Sequence, residues 1–112
     1  MELTHEISDG MLVVRPSSRV DSGSATFFEE QCAALIAEGP NRVIIDFSQV
    51  QYVSSAGLRA ILVVAKKAKS LGGALTLCGL RGNVKEVMSV SGFDALLGAH
   101  EGVADAGAAL RR

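Results

Sequence analysis

Three consecutive β-branched residues, Val43-Ile44-Ile45, stand between Arg42 and Asp46. No polar residue alternates through the run, so it reads as a central strand that must be covered on both faces. The segments around it supply the cover. Upstream, Ala25, Phe28, Cys32, Leu35 and Ile36 recur at helical spacing, after N-cap candidates in Asp21-Ser22-Gly23-Ser24 and before the stop signal Gly39-Pro40. Downstream, Ser54-Ser55 opens a second helix whose apolar stripe is read as Leu58, Ile61, Leu62, Ala65 and Ala68, with Gly72-Gly73 supplying a left-handed end.

The rest of the chain fits the same alternation. Residues 2–8 and 11–16 read as two strands joined at Asp9-Gly10, a hairpin signal. Gln49 to Val53 reads as a connection with packed apolar residues, and Ala74 to Cys78 as a strand. Asn83 is expected to cap a short helix with Glu86 three residues on, with Val84, Val87 and Met88 inward and Gly92 as its end. Leu96 to His100 is expected to hold a short strand. Val103, Ala106 and Leu110 suggest a last helix, weakened by Gly102 and Gly107. The order is thus β β α β α β α (β) α, an α/β arrangement in which helices pack on a mixed sheet.

With 112 residues the chain is expected to form one domain, 1–112, and it needs no staples to hold a core. Hydrophobic residues at 48% and a net charge of −1 suit a globular protein without a field strong enough to attract nucleic acid or an anionic membrane. Cys32 and Cys78 fall in apolar patterns and read as buried free thiols, and a metal would have only His5 and His100 besides them. The longest apolar run, Ala60 to Ala65, stops at Lys66-Lys67, too short for membrane insertion. Acids near the N-terminus and the lack of a signal-like stretch make a cytoplasmic location the expectation.

Enzymatic signatures are missing. No serine lies in a Gly-x-Ser-x-Gly elbow, and no glycine-rich loop ends in Gly-Lys-Ser/Thr. Nothing places His5 or His100 beside Ser55 as a base. The reading is therefore a binding protein rather than an enzyme, with neither cofactor nor metal. A small-ligand sensor is disfavoured by the few aromatics and the lack of a convergent polar cluster.

The informative segment is Asp46-Phe-Ser-Gln-Val-Gln-Tyr-Val-Ser-Ser-Ala-Gly-Leu-Arg59. It carries a buried strand into two serines at a helix start, where free N–H groups and the positive end of the helix suit an anion. A phosphoryl group there would add about 1.5–2 negative charges without unfolding the helix. A plain capping serine, stabilising the helix by about 1 kcal/mol, accounts for the same residues, and Gly57 need only permit close packing. At about 100° per residue, Ser55, Arg59, Val63, Lys66 and Ser70 share one stripe offset from the core face. That stripe is either a solvated face or a docking surface, and Arg59, one turn from Ser55, could pair with a phosphate.

This segment resembles the STAS domain family, named for sulfate transporters and anti-sigma factor antagonists. The similarity extends over the opening hairpin, the Val20-Asp21 junction, Gly72-Gly73 and the Val84–Phe93 helix. It implies a STAS-like fold: a four- to five-stranded mixed sheet with about four helices packed largely on one side. A free-standing domain of this length looks most like the anti-sigma factor antagonist type, a phosphoprotein of partner-switching signalling and transcription regulation. The implied partners are a serine-kinase anti-sigma factor of the histidine-kinase-like ATPase fold and a metal-dependent serine phosphatase. The unphosphorylated form would bind the kinase and release the sigma factor, and phosphorylation would end that binding.

The resemblance places the phosphoserine at Ser55, with Ser54 as runner-up. It places the acidic docking residue at Asp21, and together with the helix start and its stripe this makes Asp21, Ser22, Ser54, Ala56, Gly57, Arg59, Val63 and Lys66 the expected partner contacts. Three departures stand out: Ser54 where many members have Asp, Ala56 where some have a second serine, and Arg19 where an acid is frequent. The alternative is a non-phosphorylated STAS accessory subunit of a membrane transporter or other assembly, using the same stripe as a static interface.

Overall fold

The computed structural model describes residues 1–111. Its elements are β1 (Leu3–Ser8), β2 (Met11–Pro16), β3 (Ser18–Val20), α1 (Ala25–Glu38), β4 (Arg42–Asp46), β5 (Val50–Val53), α2 (Ser55–Ser70), β6 (Ala74–Cys78), α3 (Gly82–Val90), α4 (Phe93–Leu97), β7 (Ala99–His100) and α5 (Val103–Leu110). The main sheet has the order β1-β2-β4-β6-β7. Only β1–β2 is antiparallel, closed by Asp9-Gly10 with both residues at positive φ, as the hairpin signal requires. The pairs β2–β4, β4–β6 and β6–β7 are parallel.

β4 is covered on both faces. Val43 and Ile45 point into the larger core with Leu12, Val14, Leu75 and Leu77, under Phe28, Cys32 and Ile36 of α1 and Ile61 and Val64 of α2. Ile44 points the other way, joining Met11, Val13 and Cys78 beneath Ala106 of α5. Helices α1 to α4 all contribute to the first face, and α5 alone covers the second. The mixed α/β fold is therefore the expected one, with five helices rather than about four.

Four local readings change. Gln49–Val53 is not merely a connection: Val50–Val53 is β5, which pairs in parallel with β3, a strand the sequence reading lacked, in a separate two-stranded sheet. Val50 and Val53 are buried while Gln51 and Tyr52 face out, a pattern too short to show alternation. The buried face of α2 is Gly57, Ala60, Ile61, Val64, Ala65 and Ala68, with Leu58 and Leu62 half-buried at its edge. Small residues let the helix lie close to its neighbours, so the bulkier leucines turn to its flank. Asn83 does not cap α3: Arg81 holds the N-cap position with no side-chain bond, and Asn83 lies inside the first turn. The Leu96–His100 segment divides into the end of α4 and the two-residue β7.

Candidate functional site

Two parallel strands, β3 and β5, deliver their ends to one place. Arg19 pairs with Tyr52 and Val20 with Val53. Past this register, the Ser54 N–H donates to the Val20 carbonyl at 3.0 Å. The first turn of α2 then settles on that same carbonyl. A Cβ at Gly57 would lie 2.1 Å from the Val20 oxygen, so only glycine permits this approach. The consequence is that Asp21-Ser22, just beyond β3, and Ser54-Ser55, just beyond β5, share one rim.

The two serines divide their roles. Ser54 has extended backbone (φ −90°, ψ 177°) and its Oγ accepts the Gly57 N–H at 3.2 Å, making it the N-cap of α2. Ser54 is half-buried. Ser55 is the first helical residue, exposed, and its hydroxyl makes no hydrogen bond among the described residues. The Gly57 N–H is taken by the Ser54 hydroxyl and the Leu58 N–H by the Ser54 carbonyl, at 2.9 Å. The Ser55 and Ala56 N–H groups are thus left at the open end of the helix. Along α2, Arg59, Val63, Lys66 and Ser70 are all exposed, continuing the stripe from Ser55.

Asp21 is committed within the molecule. Its Oδ1 accepts the Gly23 N–H at 3.0 Å and its Oδ2 accepts Arg19 Nε at 3.0 Å. The Arg19 bond, aided by the Gly23 N–H and the positive charge of Arg19, holds the Asp21 carboxyl below its ordinary value. Ser24 holds the N-cap position of α1, yet its hydroxyl donates to the Arg19 carbonyl at 2.8 Å instead of capping the helix. Ser22 is exposed on this turn.

Sequence reasoning missed Arg19 and Tyr52 as a unit. The Arg19 guanidinium carbon lies 4.4 Å from the Tyr52 ring centroid, a cation–π stack. Its one sequence signal was the arginine standing where the family often has an acid; the β3–β5 register that pairs it with Tyr52 could not be read from either strand alone. Cys32 and Cys78 are both free and buried, and burial pushes each thiol up to about 12. Among the described residues no group of three or more His, Cys, Asp or Glu side chains could hold a metal ion, and no helix is long and apolar enough to cross a membrane.

Comparison with known proteins agrees with this geometry. The STAS domain family matches residues 2–106. BtrV of Bordetella bronchiseptica, named as an anti-sigma factor antagonist, is 42% identical over 93 residues, covering 83% of this chain and 80% of BtrV. Among solved structures, the Thermotoga maritima protein TM1081, also titled an anti-sigma factor antagonist, superposes with a TM-score of 0.90 at 22% identity, over 98% of this chain and 95% of its own. Bacillus SpoIIAA in its phosphorylated form superposes with a TM-score of 0.73 at 14% identity, over 99% of this chain and 100% of its own. The structural likenesses establish the shared fold, and the sequence match over nearly the whole chain establishes the kinship: the chain belongs to the STAS domain family, as a member of the anti-sigma factor antagonist type.

Proposed function

We propose that this chain is a phosphorylation-switched antagonist whose acceptor is Ser55. In this reading the whole chain, 1–112, acts as one cytoplasmic STAS domain, by binding rather than by turnover. Unphosphorylated, it docks on a serine-kinase anti-sigma factor of the histidine-kinase-like ATPase fold and releases the sigma factor. The kinase transfers a phosphoryl group to the Ser55 hydroxyl, and a metal-dependent serine phosphatase removes it.

The observation that carries the reading is the division of labour between the serines. Ser54 Oγ is engaged by the Gly57 N–H, whereas the Ser55 hydroxyl is exposed and uncommitted on a rigid helix start. A kinase needs a hydroxyl it can reach without breaking structure, and Ser55 offers one. The docking surface comprises Asp21 and Ser22 on the turn after β3, Ser54, Ala56 and Gly57 at the helix start, and Arg59, Val63 and Lys66 along α2. Phosphorylation there would set a dianion against a partner that itself binds nucleotide phosphates, and like charge with incomplete desolvation would break the contact. SpoIIAA, which shares this fold, has been solved in a phosphorylated form, which supports the fold's tolerance of the modification.

The test is incubation with a candidate serine-kinase anti-sigma factor of the histidine-kinase-like fold, plus ATP, followed by peptide mass spectrometry. The reading predicts one added phosphoryl group, on Ser55, absent in Ser55→Ala and retained in Ser54→Ala. Modification at Ser54 instead, or none at all with a kinase active on another substrate, contradicts it.

A further inference from the structure

The cluster at the end of β3 has a cation with more hydrogen-bonding capacity than its contacts use. Arg19 carries five N–H donors. Among the described residues only Nε–H is engaged, on Asp21 Oδ2 at 3.0 Å. Its plane is held over the Tyr52 ring at 4.4 Å from guanidinium carbon to centroid. The side chain is thus fixed on two sides, with the donors of both Nη atoms uncommitted. A pre-ordered guanidinium loses little conformational freedom when it meets an anion.

Its position points to which anion. Arg19 is in register with Tyr52, three residues before Ser55, and the strand after it is tied to the start of α2 through the Ser54 N–H and the Val20 carbonyl. Val20 follows Arg19 and Ser54 precedes Ser55, so one 3.0 Å hydrogen bond from the Ser54 N–H to the Val20 carbonyl, with a Cα step of about 3.8 Å on each side, puts the Arg19 and Ser55 backbones on the order of 10 Å apart. An arginine and a phosphoserine reaching toward each other span about that distance.

We propose that Arg19, stacked on Tyr52 and anchored to Asp21, is the internal counter-cation of a phosphoryl group on Ser55. The Nη donors take the phosphate oxygens while Nε stays on Asp21, so the pair becomes a carboxylate–guanidinium–phosphate chain. A bidentate guanidinium–phosphate contact is among the stronger charge-assisted hydrogen bonds. The modification is thereby sensed at the turn after β3 as well as at α2, and both halves of the proposed docking surface change together. Arg59, on α2 one turn from Ser55, is the competing cation, exposed and without an ion pair among the described residues.

The inference rests on Ser55 as the modified residue but not on any kinase, and its test is independent of one. Phosphoserine is installed at position 55 by genetic encoding, and the phosphate is titrated by ³¹P NMR. An unperturbed phosphoserine has its second pKa near about 6. A lone cation about 5 Å away in a water-like dielectric lowers this by about 0.6 unit, and the Asp21 carboxylate on the far side of the guanidinium offsets part of that. The expected result is a midpoint lowered by that order in the parent protein, restored in Arg19→Gln, partly retained in Arg19→Lys and unchanged in Arg59→Gln. Tyr52 gives a second readout, because it is the sole tyrosine and the chain has no tryptophan. Its ring signals should shift on phosphorylation in the parent but not in Arg19→Gln. An ordinary midpoint in the parent, or a lowered one that Arg59→Gln alone restores, overturns the proposal. Circular dichroism of each variant separates a lost contact from a lost fold. A protein that passes this test yet is not modified by the proposed partner kinase would refute the switch while leaving the counter-cation in place.

Discussion

Ser54 and Ser55 are chemically identical neighbours set apart by one hydrogen bond. Removing the Ser54 hydroxyl deletes the acceptor for the Gly57 N–H, so Ser54→Ala is expected to lower stability by about 1 kcal/mol in urea unfolding. Ser55→Ala deletes a hydroxyl without a partner and should leave stability unchanged within about 0.5 kcal/mol. Gly57 is constrained by packing rather than by a turn. Gly57→Ala drives a methyl group into the Val20 carbonyl, at a cost of about 1–3 kcal/mol or more, and should disturb partner binding by shifting the helix start. Asp21 makes a pH prediction. Its carboxyl is held below its ordinary value of 3.8 by Arg19 first, then by the Gly23 N–H. A depressed folded value contributes stability above the ordinary pKa that is lost as pH falls through the folded one. The Gly23 amide resonance should therefore titrate below pH 3.8, and Arg19→Gln should move that midpoint upward. An unmoved midpoint would show that Arg19 does not hold the carboxylate.

At the scale of elements, the sequence carried most where local chemistry decides structure. The β-branched run at Val43–Ile45, the Asp9-Gly10 turn and the serine pair at the start of α2 each specify their conformation within a few residues. What the sequence hid depends on partners far along the chain. β5 exists because β3, some thirty residues earlier, offers a ladder to it, and neither short strand alternates long enough to announce itself. The inward face of α2 differs in part for a related reason: Ile61, Ala65 and Ala68 are buried as expected, while Leu58 and Leu62 are only half-buried and Gly57, Ala60 and Val64 complete the buried face. The proposal of Ser55 as acceptor rests on its motif, whereas the Arg19–Tyr52 stack needed the β3–β5 register. α5 makes an element-scale prediction. It alone covers Met11, Val13 and Ile44 on the second face, so truncation before Val103 should lower the melting temperature and raise binding of a hydrophobic dye. A truncated chain with unchanged melting would mean that this second core contributes nothing.

Across the whole molecule, the parallel strands β2, β4, β6 and β7 are laid down in one direction. Such a sheet has no reversal of strand order, the place where open α/β proteins form ligand crevices at strand ends. The rim where β3 and β5 hand over to the turn and to α2 gathers Asp21, Ser22, Ser54 and Ser55, the proposed docking surface. The interior is correspondingly inert. Both thiols lie in the core with their values pushed to about 12 by burial, so a thiol reagent at pH 8 should label neither cysteine in the native protein and both after denaturation. The account's central claim is that a negative charge at Ser55 ends partner binding while the fold stands. Isothermal titration of the proposed serine-kinase partner against the parent, Ser55→Ala and Ser55→Asp, with melting curves for each, tests it most directly. The account predicts equal melting, binding by the parent and Ser55→Ala, and affinity weakened by about a hundredfold or more in Ser55→Asp, as expected when a negative charge is set against like charge across an interface. Equal affinity for all three would contradict it.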